Sequence, residues 1–158
     1  MLDREKNIRT PIRTVSKPSF AERATPSAPS PLEITVLHTD ARSTARMLAG
    51  VARLAEGLSA EIRLLVLQVV PYPLPLEMPD VPVDFISQQL MPAVLPTNVN
   101  VSIDIRVGRD KAAMLESAFP ASSMVAIGRR RRWWPTGSNR VARLLERRGR
   151  QVISIDLE

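Results

Sequence analysis

The side chains best equipped for chemistry crowd into one short segment. In "VAIGRRRRWWPTGSNRVARLL", residues 125–145, Arg129, Arg130, Arg131 and Arg132 run directly into Trp133 and Trp134, followed by Gly137, Ser138 and Asn139. A guanidinium binds phosphate bidentately. An indole beside it stacks on a base, forms a cation–π pair or sits at a membrane interface. Four adjacent arginines repel one another and cannot all be buried, so they are either solvated or neutralised by a partner. The tryptophans have an equally ordinary use in covering the end of a sheet or packing in a homodimer. Gly137-Ser138-Asn139 has the composition of a helix start, with Ser138 as N-cap, and the free amides behind such a cap form a weak anion site.

Beyond that start, Arg140, Arg143, Arg147 and Arg150 fall three or four residues apart, opposite Val141, Leu144 and Leu145. This spacing predicts an amphipathic helix whose basic side continues the arginine run. A patch of this kind meets several phosphates of a nucleic acid or an anionic membrane, with binding that weakens steeply as salt rises. No motif for reading nucleotide sequence accompanies it, so such binding is expected to be nonspecific.

Catalytic machinery is harder to assemble. His38 is the only histidine and there is no cysteine. Asp40 and Ser43 are near it in sequence, but neither a G-x-S-x-G elbow nor a Ser–His spacing suggests a triad. One histidine without thiolates makes no first-row metal site. Thiolate catalysis and disulfides are excluded outright. The chain therefore reads as a binding protein and not an enzyme.

Charge is unevenly placed. Residues 1–30 hold six basic and three acidic side chains, residues 31–128 seven and ten, and residues 129–150 nine arginines against Glu146 alone. A mildly acidic body thus carries one concentrated positive segment, which raises the local concentration of anions. No apolar run of about 18 residues is present, so no membrane-spanning helix is expected. The charged, Pro-rich N-terminus lacks the apolar core of a secretory signal. Together with the absence of cysteine, this predicts a cytoplasmic protein.

The elements that must position these groups follow from apolar periodicity. Residues 1–31 contain five prolines and few large apolar groups. They are expected to form a flexible basic arm that buries too little surface to order itself. Residues 32–158 read as one α/β domain. "LEITVLH" is a strand, and the segment after it sets Leu48, Val51, Ala55 and Leu58 on one helical stripe. "EIRLLVLQVV" is a strand buried on both faces. Residues 71–96 contain seven prolines and read as a long connection with a short helix at "VDFISQQLM", ended at the Met91–Pro92 step. "NVNVSIDIRV", "RDKAAMLESAF", "SSMVAIG", "SNRVARLLERRG" and "QVISIDLE" continue as strand, helix, strand, helix and strand. Such alternation implies right-handed crossovers and a parallel sheet with helices on both faces. Ligands of such sheets sit beyond the strand carboxyl ends, where strand order reverses.

At those ends the chain resembles the universal stress protein family. "ITVLHTD" resembles the first strand with its ligand-facing acidic end, "IRVGRD" the third-strand signature, and "VAIGRR…GSN" the phosphate loop. In nucleotide-binding members that loop runs Gly, two residues, Gly, nine residues, Gly, then Ser or Thr. Gly128 and the Gly137–Ser138 pair match it, whereas Arg131 stands at the second glycine and only five residues separate it from Gly137. The resemblance implies a five-stranded sheet of adenine-nucleotide α-hydrolase-like type, strand order 3-2-1-4-5, and a stress-response role. It implies ATP or another adenine nucleotide as ligand. Thr39 and Asp40 would face ribose or adenine, Val69 would line the base, and Gly108, Gly128, Gly137, Ser138 and Asn139 would approach the nucleotide. Arg131 would replace a backbone cradle with a side-chain clamp. Magnesium would enter only with the nucleotide, through Asp40 or Asp110. The resemblance also implies a homodimer through the edge strand Gln151–Leu157. The alternative is a nucleotide-free dimeric module that binds nucleic acid or membrane through its Arg/Trp surface.

Overall fold

Strands that are apolar on both faces need a helical layer above and below. The computed structural model describes residues 13–16, 32–119, 123–129 and 137–157, with the backbone alone at 13–16 and 137–139. In chain order the described elements are β1 (Arg13–Ser16), β2 (Leu32–Leu37), α1 (Ala41–Ala55), β3 (Ala60–Val69) and α2 (Val83–Val94). They continue with β4 (Val101–Gly108), α3 (Lys111–Ala118), β5 (Met124–Arg129), α4 (Gly137–Arg147) and β6 (Gln151–Asp156). One sheet has the order β1-β4-β3-β2-β5-β6. β2 to β6 are mutually parallel. Counted along the chain, those five parallel strands lie in the order 3-2-1-4-5, as expected.

Alternate residues of each strand serve opposite layers. Ile34, Val36, Ile62, Leu64, Ile103 and Ile105 pack with Met47, Leu48 and Val51 of α1 and Leu90 of α2. Leu37, Leu65, Val125 and Ile127 pack with Leu115 and Ala118 of α3 and Leu145 of α4. A third, smaller cluster of Val70, Leu76 and Val107 seats the Pro-rich connection against the sheet.

Three details depart from the sequence reading. The arm contributes β1, which pairs antiparallel with β4 from Arg13↔Val107 to Ser16↔Asp104. Composition is blind to this because the bonds are made by backbone groups, and an uncovered β4 edge offers a row of them. The short helix continues through Pro92 to Val94. Packing of Met91, Ala93 and Val94 against the core offsets the bond that proline removes. Leu58 lies past the end of α1 and is 57% exposed, whereas Leu48, Val51 and Ala55 are buried. Gly57, with φ of 80°, turns the chain away from the helical stripe before Leu58 is reached. Accordingly, Leu48→Ala is expected to cost about 3 kcal/mol of stability, and Leu58→Ala no more than about 0.5 kcal/mol. Urea unfolding midpoints of the two variants check the contrast.

Candidate functional site

Strand order reverses between β2 and β5, and in open α/β sheets ligands bind beyond the strand carboxyl ends at such a point. The residues just past β2 are His38, Thr39 and Asp40. Thr39 and Asp40 are exposed and His38 is half-buried. The His38 amide donates to the Leu65 carbonyl at 2.8 Å, which fastens this turn to β3. The His38 ring hydrogen-bonds through Nδ1 to Thr44 Oγ1 at 2.8 Å, so the side chain turns toward α1.

Both aspartates expected near a ligand hold helix starts. Asp40 has extended backbone and caps α1, with Oδ1 accepting the Ser43 amide at 2.9 Å. Asp110 caps α3, with Oδ1 accepting the Ala112 amide at 2.8 Å and the Ala113 amide at 3.4 Å. The amino termini of α1, α3 and α4 all belong to the carboxyl edge of the sheet. Two of them are thus neutralised by the chain's own carboxylates. α4 begins at Gly137.

The two glycines that the resemblance places at the nucleotide are closely packed. A Cβ at Gly128 would overlap Leu157 Cδ1 and come within 2.8 Å of Met47 Sδ. A Cβ at Gly108 would meet Met114 Sδ at 2.8 Å. In both places the room left by the missing side chain is filled by the protein's own core. Val69, at the end of β3, is 46% exposed at the carboxyl edge.

The arginines divide. Arg129, Arg140, Arg143 and Arg147 are exposed. Arg150 does not join that stripe: its Nη2 donates to the Phe119 carbonyl at 2.7 Å and its Nη1 to the Arg148 carbonyl at 2.8 Å. It ties the start of β6 to the end of α3. The neighbouring Arg148 pairs with Glu116. Arg130, Arg131, Arg132, Trp133 and Trp134 lie outside the described residues.

Two constellations were missed in the sequence. Arg63, on β3, bonds Thr35, the Ala118 carbonyl, Glu33 and Asp104, and Asp104 also pairs with Arg106. The signal was a lone arginine inside an apolar strand, which demands a partner. The second is Arg109 against Tyr72, with the guanidinium carbon 4.2 Å from the ring centroid. A cavity of about 290 Å3 lies elsewhere, between α1 and α2, lined by Ala45, Ala49, Ala52, Pro92, Ala93 and Pro96 among others. It is away from the strand carboxyl ends.

Among the described residues no group of three or more His, Asp or Glu side chains could hold a metal ion, and no helix is long and apolar enough to cross a membrane. Comparison with protein-family models, with curated proteins and with solved structures finds no match to this chain.

Burial holds the His38 imidazole below its ordinary pKa of 6.5, and the Asp40 carboxylate opposes that shift. The fold therefore favours the neutral ring. As pH falls through 6.5, the unfolded chain takes up a proton that the folded chain resists, and stability declines toward acid. Urea unfolding is expected to show this decline setting in below about pH 7.5 and continuing as pH falls past 6.5. His38→Gln should remove part of the slope, and an unchanged slope would exclude His38 as its source.

Proposed function

We propose that the protein is a non-catalytic module, similar to universal stress proteins, that binds an adenine nucleotide at the carboxyl ends of β2, β3 and β5 and acts in stress response as a sensor or adaptor. The observation that carries this reading is the reversal of strand order between β2 and β5. It brings exposed Thr39, exposed Val69 and the opening turn of α4 to one edge of the sheet. On this reading Thr39 faces the ribose and Val69 lines the base. The amides at Gly137, Ser138 and Asn139 meet phosphate together with the guanidinium groups of Arg129 and Arg131. Asp40 and Asp110 act as helix caps first, and magnesium arrives only with the nucleotide. Gly108 and Gly128 serve by letting strand ends pack closely, so the phosphates are met by side chains and helix amides instead of a glycine cradle.

The non-catalytic reading is supported by His38 among the described residues at this edge. His38 is committed to Thr44 and lies beside a carboxylate that caps a helix. The same reading includes a homodimer, since β6 is an edge strand of the sheet and carries half-buried Val152, Ile153 and Ile155.

Thermal unfolding at low salt tests the nucleotide. ATP, AMP or a cyclic nucleotide is expected to raise the melting temperature by more than pyrophosphate of equal charge does. No nucleotide-specific rise would sink the reading. Sedimentation of the same samples reads the dimer, and a monomer at all concentrations would remove that part.

A second reading has its own observation. Arg140, Arg143 and Arg147 lie three and four residues apart and exposed on α4, and among the described residues no ion pair engages them. Such a stripe suits a polyanion, either nucleic acid or an anionic membrane. On this reading, duplex DNA affinity falls linearly with the logarithm of salt, and Arg143→Glu with Arg147→Glu lowers it at least about tenfold without unfolding the protein. Equal affinity for the double variant would take the stripe out of consideration.

A further inference from the structure

Tyr72 is the only tyrosine in a chain that has 4% aromatic residues, and it is 79% exposed. An aromatic ring left so open in so aromatic-poor a protein contributes little to the core. Its position is nevertheless controlled. Arg109, just past β4, donates through Nη1 to the Val70 carbonyl at 2.9 Å and to the Pro71 carbonyl at 2.9 Å. With its nitrogen anchored there, the guanidinium plane covers one face of the Tyr72 ring at 4.2 Å. A cation–π contact of this type fixes a ring that would otherwise sample several rotamers. With one face covered and most of the side chain in solvent, the opposite face is open. Tyr72 stands three residues beyond β3, at the same carboxyl edge as exposed Val69.

The distance to the phosphate end is suitable. β3, which leads into Tyr72, is separated from β5 by β2. Two interstrand steps of about 4.8 Å put roughly 10 Å between their ends. That is within the reach of an extended nucleoside triphosphate, with phosphates toward the start of α4 and base toward Tyr72.

We propose that Tyr72, held by Arg109, is a stacking platform for the nucleobase of the ligand. The inference rests on the nucleotide reading given above and adds to it the surface that meets the base. Recognition is by the π-face, so the platform takes purines generally and does not distinguish them by their edges. Arg109 is a positioning residue. The alternative use of the pair is only to clip the Pro-rich connection onto β4, in which case Tyr72 matters for stability and not for affinity.

Calorimetric titration of the full chain with ATP, inorganic triphosphate and adenosine separates these cases. The proteins compared are the wild type, Tyr72→Ala and Tyr72→Phe, with circular dichroism as the folding check. ATP is expected to bind about tenfold more tightly than triphosphate. Tyr72→Ala should bring ATP down to the affinity of triphosphate, and Tyr72→Phe should keep the difference. In proton NMR the single tyrosine gives one set of ring signals. These should move upfield with ATP and stay put with triphosphate. If Tyr72→Ala keeps the ATP advantage, the base stacks elsewhere and the inference is overturned while the nucleotide reading stands. Equal wild-type affinities for ATP and triphosphate also overturn it and leave only an anion site. If adenosine moves the ring signals but neither phosphate compound binds through its phosphates, the platform stands and the nucleotide reading falls. If nothing binds, both fall.

Discussion

The need to cover both faces of a parallel sheet governs this structure. β2, β3 and β5 lie inside the sheet, and their side chains alternate between two helical layers, so nearly every position must be apolar. The exceptions have to be paired where they stand. Arg63, on β3, has a side chain only 17% exposed. It donates to the Ala118 carbonyl at 2.9 Å and to Thr35 Oγ1 at 3.2 Å, and it meets Glu33 at 3.3 Å and Asp104 at 3.7 Å. Arg106 meets the same Asp104 oxygen at 3.3 Å. One cation thereby joins β2, β3, β4 and the carboxyl end of α3. Among the described residues the other oxygen of Asp104 is buried without a hydrogen-bond partner. Removing one member of such a group costs more than the pair contributes, because the remaining charge is left in a low dielectric.

From the same constraint follows the location of the candidate site. Crossovers in a parallel sheet carry every helix back across a face, so helix amino termini collect at the strand carboxyl ends. Their partial positive charges add there. Asp40 and Asp110 cancel that field locally at α1 and α3 by accepting amide hydrogens. Carboxylates repel phosphate, so the anionic ligand proposed above would be met at the start of α4 and at exposed Arg129, not at these two starts. The field of the body is otherwise mildly acidic, which sharpens the contrast.

The glycines show how one residue type answers two demands. The resemblance to universal stress proteins implies that Gly108 and Gly128 approach a nucleotide. In the folded chain Met114 lies over the first, and Leu157 and Met47 lie over the second. Leu157 is held there because its amide donates to the Arg129 carbonyl at 2.8 Å, which extends the β5–β6 pairing past β6. A glycine selected by packing and a glycine selected by a ligand are identical in a sequence, and only the atoms facing the missing Cβ distinguish them.

Much of the fold was therefore legible in the residues themselves, and much of the site was not. The alternation of "LEITVLH", "EIRLLVLQVV", "NVNVSIDIRV", "SSMVAIG" and "QVISIDLE" with helix-period segments determined a parallel α/β sheet, because apolar periodicity reports directly on which faces are covered. Capping by Asp40 and Asp110 is legible for the same local reason, since each stands just before a helix-period segment. Tertiary structure alone decided the rest. β1 exists because an edge strand offers backbone bonds to an arm whose composition says nothing of them. Arg150 leaves the basic stripe because Phe119, 31 residues away in sequence, presents it a carbonyl. Tyr72 meets Arg109 across 37 residues for the same kind of reason. Periodicity describes what a residue does within its own element, whereas the partner of a charge or a ring is set by which elements the sheet brings side by side.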